Sequence, residues 1–159
     1  MDLARWAAWL EHSALGAWMR SSEFAYPAVN LIHLCGLVLL VGSMLLLDLR
    51  LMGAGRRLSL TDVSGILTPF AIAGLALLVA SGVLLFSADA GPLLRNPLLP
   101  IKLGCILIGL LNAVLFRAIW DKRLAFWDDA PPVMGRLQAF VSLSLWVAAG
   151  SLGRLLAYV

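Results

Sequence analysis

Four long apolar stretches constrain this chain more than any other feature of its sequence. The first, Phe24 to Leu47, holds no charged residue, and three more follow at about Val63 to Ala88, Asn96 to Trp120 and Leu137 to Val159. Each reaches the roughly 20 residues that a helix needs to cross a bilayer. Runs of this kind, with interspersed Gly and Ala, lack the two-residue alternation of strands, and lipid cannot satisfy an open strand edge. With 62% hydrophobic and 13% charged residues, a water-soluble domain of 159 residues would expose too much apolar surface. The expected fold is therefore all-α, an integral membrane four-helix bundle. It forms a single transmembrane domain over residues 1–159, with spans at about 25–47, 64–88, 98–120 and 137–158.

Four crossings place both termini on one side. The two loops opposite carry Arg50, Arg56, Arg57, Arg117, Lys122, Arg123 and Arg136, whereas the terminal side carries Arg5, Arg20, Arg95, Lys102 and Arg154. Lys102 and Arg154 lie within apolar stretches, and without them the bias is seven against three. Both termini are thus expected to be extracytoplasmic. The same sorting accounts for the net charge of +3 without a nucleic-acid partner, since no basic stripe or stacking platform is present.

Residues 1–22 hold Asp2, Arg5, Glu11, His12 and Arg20 and lack the apolar core of a cleavable signal. Residues 3–20 instead read as an amphipathic interfacial helix with Leu3, Trp6, Leu10, Ala14 and Ala17 on one face, and an external cap on the bundle is the equal alternative. Pro27 helps start the first span, which Asp48 and Arg50 stop at the interface before Gly53 and Gly55, as an exposed local pair or, alternatively, as a helix-packing device. Thr61-Asp62 offers the N-cap of the second span, whose Pro69, Gly74, Ser81 and Gly82 mark a packing helix. The segment Asp89 to Pro100 reads as a short loop, and Asp121 to Met134 as the joint between helix pairs. Aligning His33 with Lys102 gives a faint repeat of the first span in the third, which chance matches in a Leu/Gly-rich chain also explain. Cys35 and Cys105 read as small apolar groups.

An ionisable side chain in hydrocarbon is costly and usually marks a site. His33 is such a residue, and helical spacing puts Tyr26, Asn30, His33, Leu37 and Leu40 on one stripe, with Gly36 leaving space beside the ring. In the third span Lys102, Cys105, Gly109 and Asn112 form a seam, and in the fourth Ser144, Val147, Ser151, Arg154 and Tyr158 do so. At about 1.5 Å per residue, His33, Lys102 and Arg154 all belong to the half of the bilayer nearer the termini, and His12 lies on that face too. A neutral imidazole ligates haem iron and two cations suit its propionates. His33 is thus the expected axial ligand of haem b, His12 the candidate second ligand, and Lys102, Arg154, Gly36 and Asn112 the rest of the site. A structural histidine with snorkelling cations is the competing reading. Copper is the metal alternative, held by Cys105, His33 and Met44, since Cys35 is on nearly the opposite helix face.

The stretch Leu31-Ile-His-Leu-Cys-Gly-Leu-Val-Leu-Leu-Val-Gly42, the following Asp48-Leu-Arg-Leu-Met-Gly53 and the ending Ser144-Leu-Trp…Gly153-Arg-Leu-Leu-Ala-Tyr158 resemble a family of small four-helix bacterial membrane proteins of uncharacterised activity. More distantly, the Leu-His-x-x-Gly opening of the first span and Ile101-Lys102-Leu103 are similar to the haem-containing protoporphyrinogen oxidase family and the copper-resistance D membrane family. The former likeness implies haem binding and activity at His33 and Lys102, in a bacterial inner membrane. The chain departs from it at Val41, where Trp commonly precedes the glycine, and at Asn112, near a second family His. The cofactor architecture is therefore implied rather than the oxidase reaction.

Together these readings point to a membrane b-type haem protein passing electrons to or from a redox partner protein or quinone. If it is an enzyme, it is a haem-dependent oxidoreductase. Small residues in the spans also suit a homo-oligomer. Two rivals stand beside this: a transport component for a small ion or solute, and a structural subunit of a larger membrane complex.

Overall fold

In the computed structural model, residues 3–128, 130–156 and 158 are described. Among them no strand occurs, and the long helices are α3 (Ala25–Leu51), α4 (Leu60–Ala88), α6 (Leu98–Trp120) and α7 (Val133–Leu155). These four are long and apolar enough to cross a membrane, the architecture of a multi-pass membrane protein in contact with lipid. Three short helices accompany them: α1 (Leu3–Glu11), α2 (Ala14–Ser21) and α5 (Ala90–Arg95). The last sits inside the segment expected to be a plain loop. A 3-10 turn over Asp121–Phe126 follows α6, and α7 begins at Val133, four residues earlier than the apolar run suggests.

The expected single helix over 3–20 is two helices, because Ser13 breaks it. Its hydroxyl donates to the Leu10 carbonyl at 2.6 Å and accepts from the Gly16 amide at 3.2 Å, capping α2 and resetting its phase. The side chain of Leu3 lies outside the described residues. Beyond it, the buried positions are Ala7, Gly16 and Met19 rather than the predicted face, while Trp9 and Trp18 remain exposed as headgroup anchors. The segment also caps the bundle. Arg20 donates to the Ala88 carbonyl at 3.1 Å and to the Glu11 carbonyl at 2.5 Å, and the Glu11 carboxylate accepts from the Gly91 amide at 2.7 Å. The outer face, defined here as the one bearing the termini, is therefore fastened to the α4–α5 connection.

Two further expectations are corrected at the opposite, inner face. Ser59, not Thr61, caps α4, accepting from the Asp62 amide at 3.3 Å. Asp48 and Arg50 form no exposed pair: α3 runs on to Leu51 and both are buried, at 2% and 3% exposure. Arg50 instead donates to the Leu58 carbonyl at 2.8 Å and to the Asp128 carbonyl at 3.1 Å, and meets the Asp128 carboxylate at 3.4 Å. That carboxylate also accepts from the Leu60 amide at 2.6 Å. One cation thus ties both inner loops together. The left-handed backbone at Gly53 (φ 108°) and Gly55 (φ 59°) ends α3 as expected.

Packing is uneven around the bundle. The helices α3 and α4 touch through backbone: a Cβ on Gly74 would lie 2.5 Å from the Leu40 nitrogen and 2.7 Å from the Gly36 oxygen. At the other side Trp146 of α7 covers Gly109 of α6. The two pairs join where α3 meets α7, while α4 and α6 make almost no backbone contact. We expect Gly74→Ala to destabilise the protein by about 1–3 kcal/mol, the range for overpacking. By contrast, Gly104→Ala, whose Cβ meets open space, should leave stability unchanged or raise it by up to about 1 kcal/mol. Reversible unfolding in mixed detergent micelles measures both.

Candidate functional site

Ser81 lies one turn beyond Leu77 on α4, and its hydroxyl donates back to that carbonyl at 2.5 Å. A hydroxyl has a single proton. The 2.8 Å bond between Ser81 Oγ and His33 Nδ1 must therefore be donated by the ring. This fixes the tautomer: His33 carries its proton on Nδ1 and keeps a free lone pair on Nε2. Gly82 adjoins the ring, a Cβ there lying 3.5 Å from Cε1.

Lys102 is the cation that acts on His33 across the bundle. Its ammonium lies along α7, where a Cβ on Gly153 would come within 3.1 Å of Nζ. The rest of the expected haem constellation is engaged elsewhere. Arg154 is exposed and donates to the Tyr158 hydroxyl at 2.5 Å, its guanidinium 5.0 Å from that ring. His12 is exposed at the break between α1 and α2. Gly36, expected to leave room beside the imidazole, is filled by α4, because a Cβ there would lie 3.0 Å from the Gly74 carbonyl. Asn112 donates to the Gln138 carbonyl at 3.1 Å and clamps α6 to α7. Of the expected constellation, Lys102 alone acts on His33, through its charge and with no hydrogen bond between them. Cys35 is exposed, and among the described residues no group of three or more His, Cys, Asp or Glu gathers as a ligand set.

The larger polar arrangement lies in the inner half, below Gly74. There the four spans border a half-open cavity of about 370 Å³, walled by Leu40, Leu47, Ile72, Leu75, Leu110 and Phe116. Among these apolar walls stand Asp48, Ser142 and Trp146, exposed by 2%, 2% and 3%. The Ser142 hydroxyl faces the Asp48 carboxylate. Asp48 Oδ2, Ser142 Oγ and Trp146 Nε1 have no hydrogen-bond partner in the protein. Burying such groups costs about 1–3 kcal/mol each and more for a charge. Arg117 closes the inner end of the cavity, donating to Ser64 Oγ at 2.8 Å, to Thr68 Oγ1 and to Asp121 Oδ1 at 2.6 Å.

Sequence reasoning passed over Asp48, Ser142, Trp146 and Arg117. A signal for Asp48 exists, since it stands 15 residues after His33 on nearly the same face of α3. Its nearness to Arg50 disguised it as half of a surface pair.

The tautomer is directly measurable. Nitrogen-15 spectra of selectively labelled protein should show His33 protonated at Nδ1, and Ser81→Ala should abolish that preference by removing the acceptor.

Comparison of the chain with protein-family models, with curated proteins and with solved structures gives no match.

Proposed function

We propose that the protein is a membrane transport component for a small ion or solute, with Asp48 at its binding site. The observation that carries this reading is a carboxylate 2% exposed in a transmembrane cavity, with one oxygen unpartnered. A carboxylate so placed is expensive, and intramembrane acids of this kind mark ion paths and proton relays. His33 supports it from the other half. The two protonatable groups stand about 22 Å apart along the inward side of α3, at 1.5 Å per residue, one in each half of the bilayer. The excess of Arg and Lys on the Asp48 side supports a cytoplasmic placement of that side with extracytoplasmic termini. The resemblance read from the sequence would place the chain in a bacterial inner membrane.

Proteoliposomes enclosing a pH-sensitive dye test this reading under an imposed potassium diffusion potential. Proton flux above that of protein-free vesicles is expected, falling to background in Asp48→Asn and persisting in Asp62→Asn, an exposed carboxylate at the start of α4. Equal flux in wild type and Asp48→Asn would refute the assignment.

One observation favours a second reading, b-type haem on His33: the Nε2 lone pair left free by the Nδ1 bond to Ser81. Haem would supply one-electron redox chemistry, His33 Nε2 would hold the iron, Ser81 would orient the ring, and Lys102 would pair a propionate. Protein purified from haem-replete cells would then show a Soret band that shifts on dithionite reduction and disappears in His33→Ala but not in His12→Ala. Colourless wild-type protein would eliminate this reading.

A further inference from the structure

Two loops at the inner face carry exposed positive charge and exposed apolar side chains together. Arg56 and Arg57 lie in the loop between α3 and α4, and Lys122 and Arg123 in the 3-10 turn after α6, all four exposed. Leu58 in the first loop, Phe126 at the end of the turn and Val133 at the start of α7 are exposed by 59%, 84% and 81%. Neither loop is a loose tether. Leu51, Leu60, Leu124 and Trp127, from the ends of both, pack with Phe116 in one apolar cluster. The contact of Arg50 with Asp128 then joins the loops to each other.

The carboxylates nearby are already engaged. Asp128 meets Arg50 and the Leu60 amide, and Asp121 meets Arg117. Asp129 lies outside the described residues. Among those described, Asp62 is the exposed acid without an ion pair, against four exposed cations without one. Two of the four rest on the protein and keep their charge, Arg56 with its guanidinium beside Gly53 and Arg123 at 5.6 Å from the Trp120 ring.

Topological sorting accounts for the cations. It does not account for Phe126 and Val133 standing exposed on the same anchored loops. Together the two features require a partner that is negative at one end and apolar at the other. A soluble polyanion would answer the cations and leave the apolar side chains in water, and an uncharged lipid would do the reverse. These loops connect the inner ends of the spans, so they lie at head-group depth, where basic clusters attract anionic lipid.

We infer that this face is a docking site for an anionic phospholipid of the leaflet on the Asp48 side. Cations of both loops hold its phosphate, and Leu58, Phe126 and Val133 meet its acyl chains. Neither Asp48 nor His33 takes part, so the site stands independently of the transport and haem readings.

The full chain in detergent micelles is titrated with phosphatidylglycerol or with phosphatidylcholine of identical acyl chains, and bound lipid is counted by native mass spectrometry. We expect phosphatidylglycerol to bind more tightly. That preference should shrink about fivefold for each cation removed, hence about 25-fold in the double variant Arg57→Gln/Lys122→Gln. These two exposed residues come from separate loops and make no hydrogen bond or ion pair among the described residues. The preference should persist in Arg5→Gln/Arg95→Gln, which removes two exposed cations from the opposite face. Phe126→Ser should weaken both lipids alike.

Equal affinity for the two lipids overturns the inference, as does a preference that the inner double variant keeps or that the outer one loses to the same degree. Polyglutamate that displaces phosphatidylglycerol from the wild type, and binds Phe126→Ser as tightly as the wild type, would identify an acidic protein partner and overturn it equally.

Discussion

Backbone contact between α3 and α4 organises this bundle. With no side chain at Gly36 or Gly74, the two helices approach until the added Cβ of either residue would strike the other's carbonyl, at 3.0 and 2.7 Å. In lipid there is little hydrophobic drive for helices to associate, so van der Waals contact of this closeness decides who packs with whom. The consequence is felt one helix away. Drawn onto α3, α4 is not available to α6, which settles instead against α7 with Trp146 over Gly109. The joined pairs meet along α3 and α7 and leave the fourth seam to side chains.

The two charges near the inner end of α3 show how differently burial can be met. Arg50 donates through Nε and Nη2 to two carbonyls and the Asp128 carboxylate, leaving Nη1 without a partner, and positions both inner loops. Asp48, two residues earlier, has no cation within bonding distance among the described residues. Removing one member of a buried pair typically costs several kcal/mol, so a carboxylate left in that condition is a standing expense. It is tolerated where something other than stability requires it.

The spans and their class were legible because about 20 consecutive apolar residues admit few other structures in any environment. The glycine end of α3 and the capping role of the N-terminal segment were legible for local reasons. What misled was distance along the chain. Asp48 and Arg50 look like partners at i and i+2, yet such residues do not face one another on a helix, and their true neighbours lie on α7 and in the loop at Asp128. Gly36 was assigned to His33 because both are on α3, while its neighbour is 38 residues further on at Gly74. Of the expected haem residues, only Lys102 acts on His33, through its charge, and Arg154 is turned outward. Helical periodicity gives a side chain's face but not the helix that will meet it.

The clasp between the N-terminal helices and the α4–α5 connection bears on how the molecule is made. Glu11 and Arg20 are synthesised before α3 and α4, yet their partners Gly91 and Ala88 emerge only after both helices are complete. The leading segment must therefore be in place on its face before it docks, and the clasp can close only when the far end of α4 arrives on that same side. Its closure is a checkpoint of topology, available to a chain threaded in the native direction and denied to one inserted with α4 reversed.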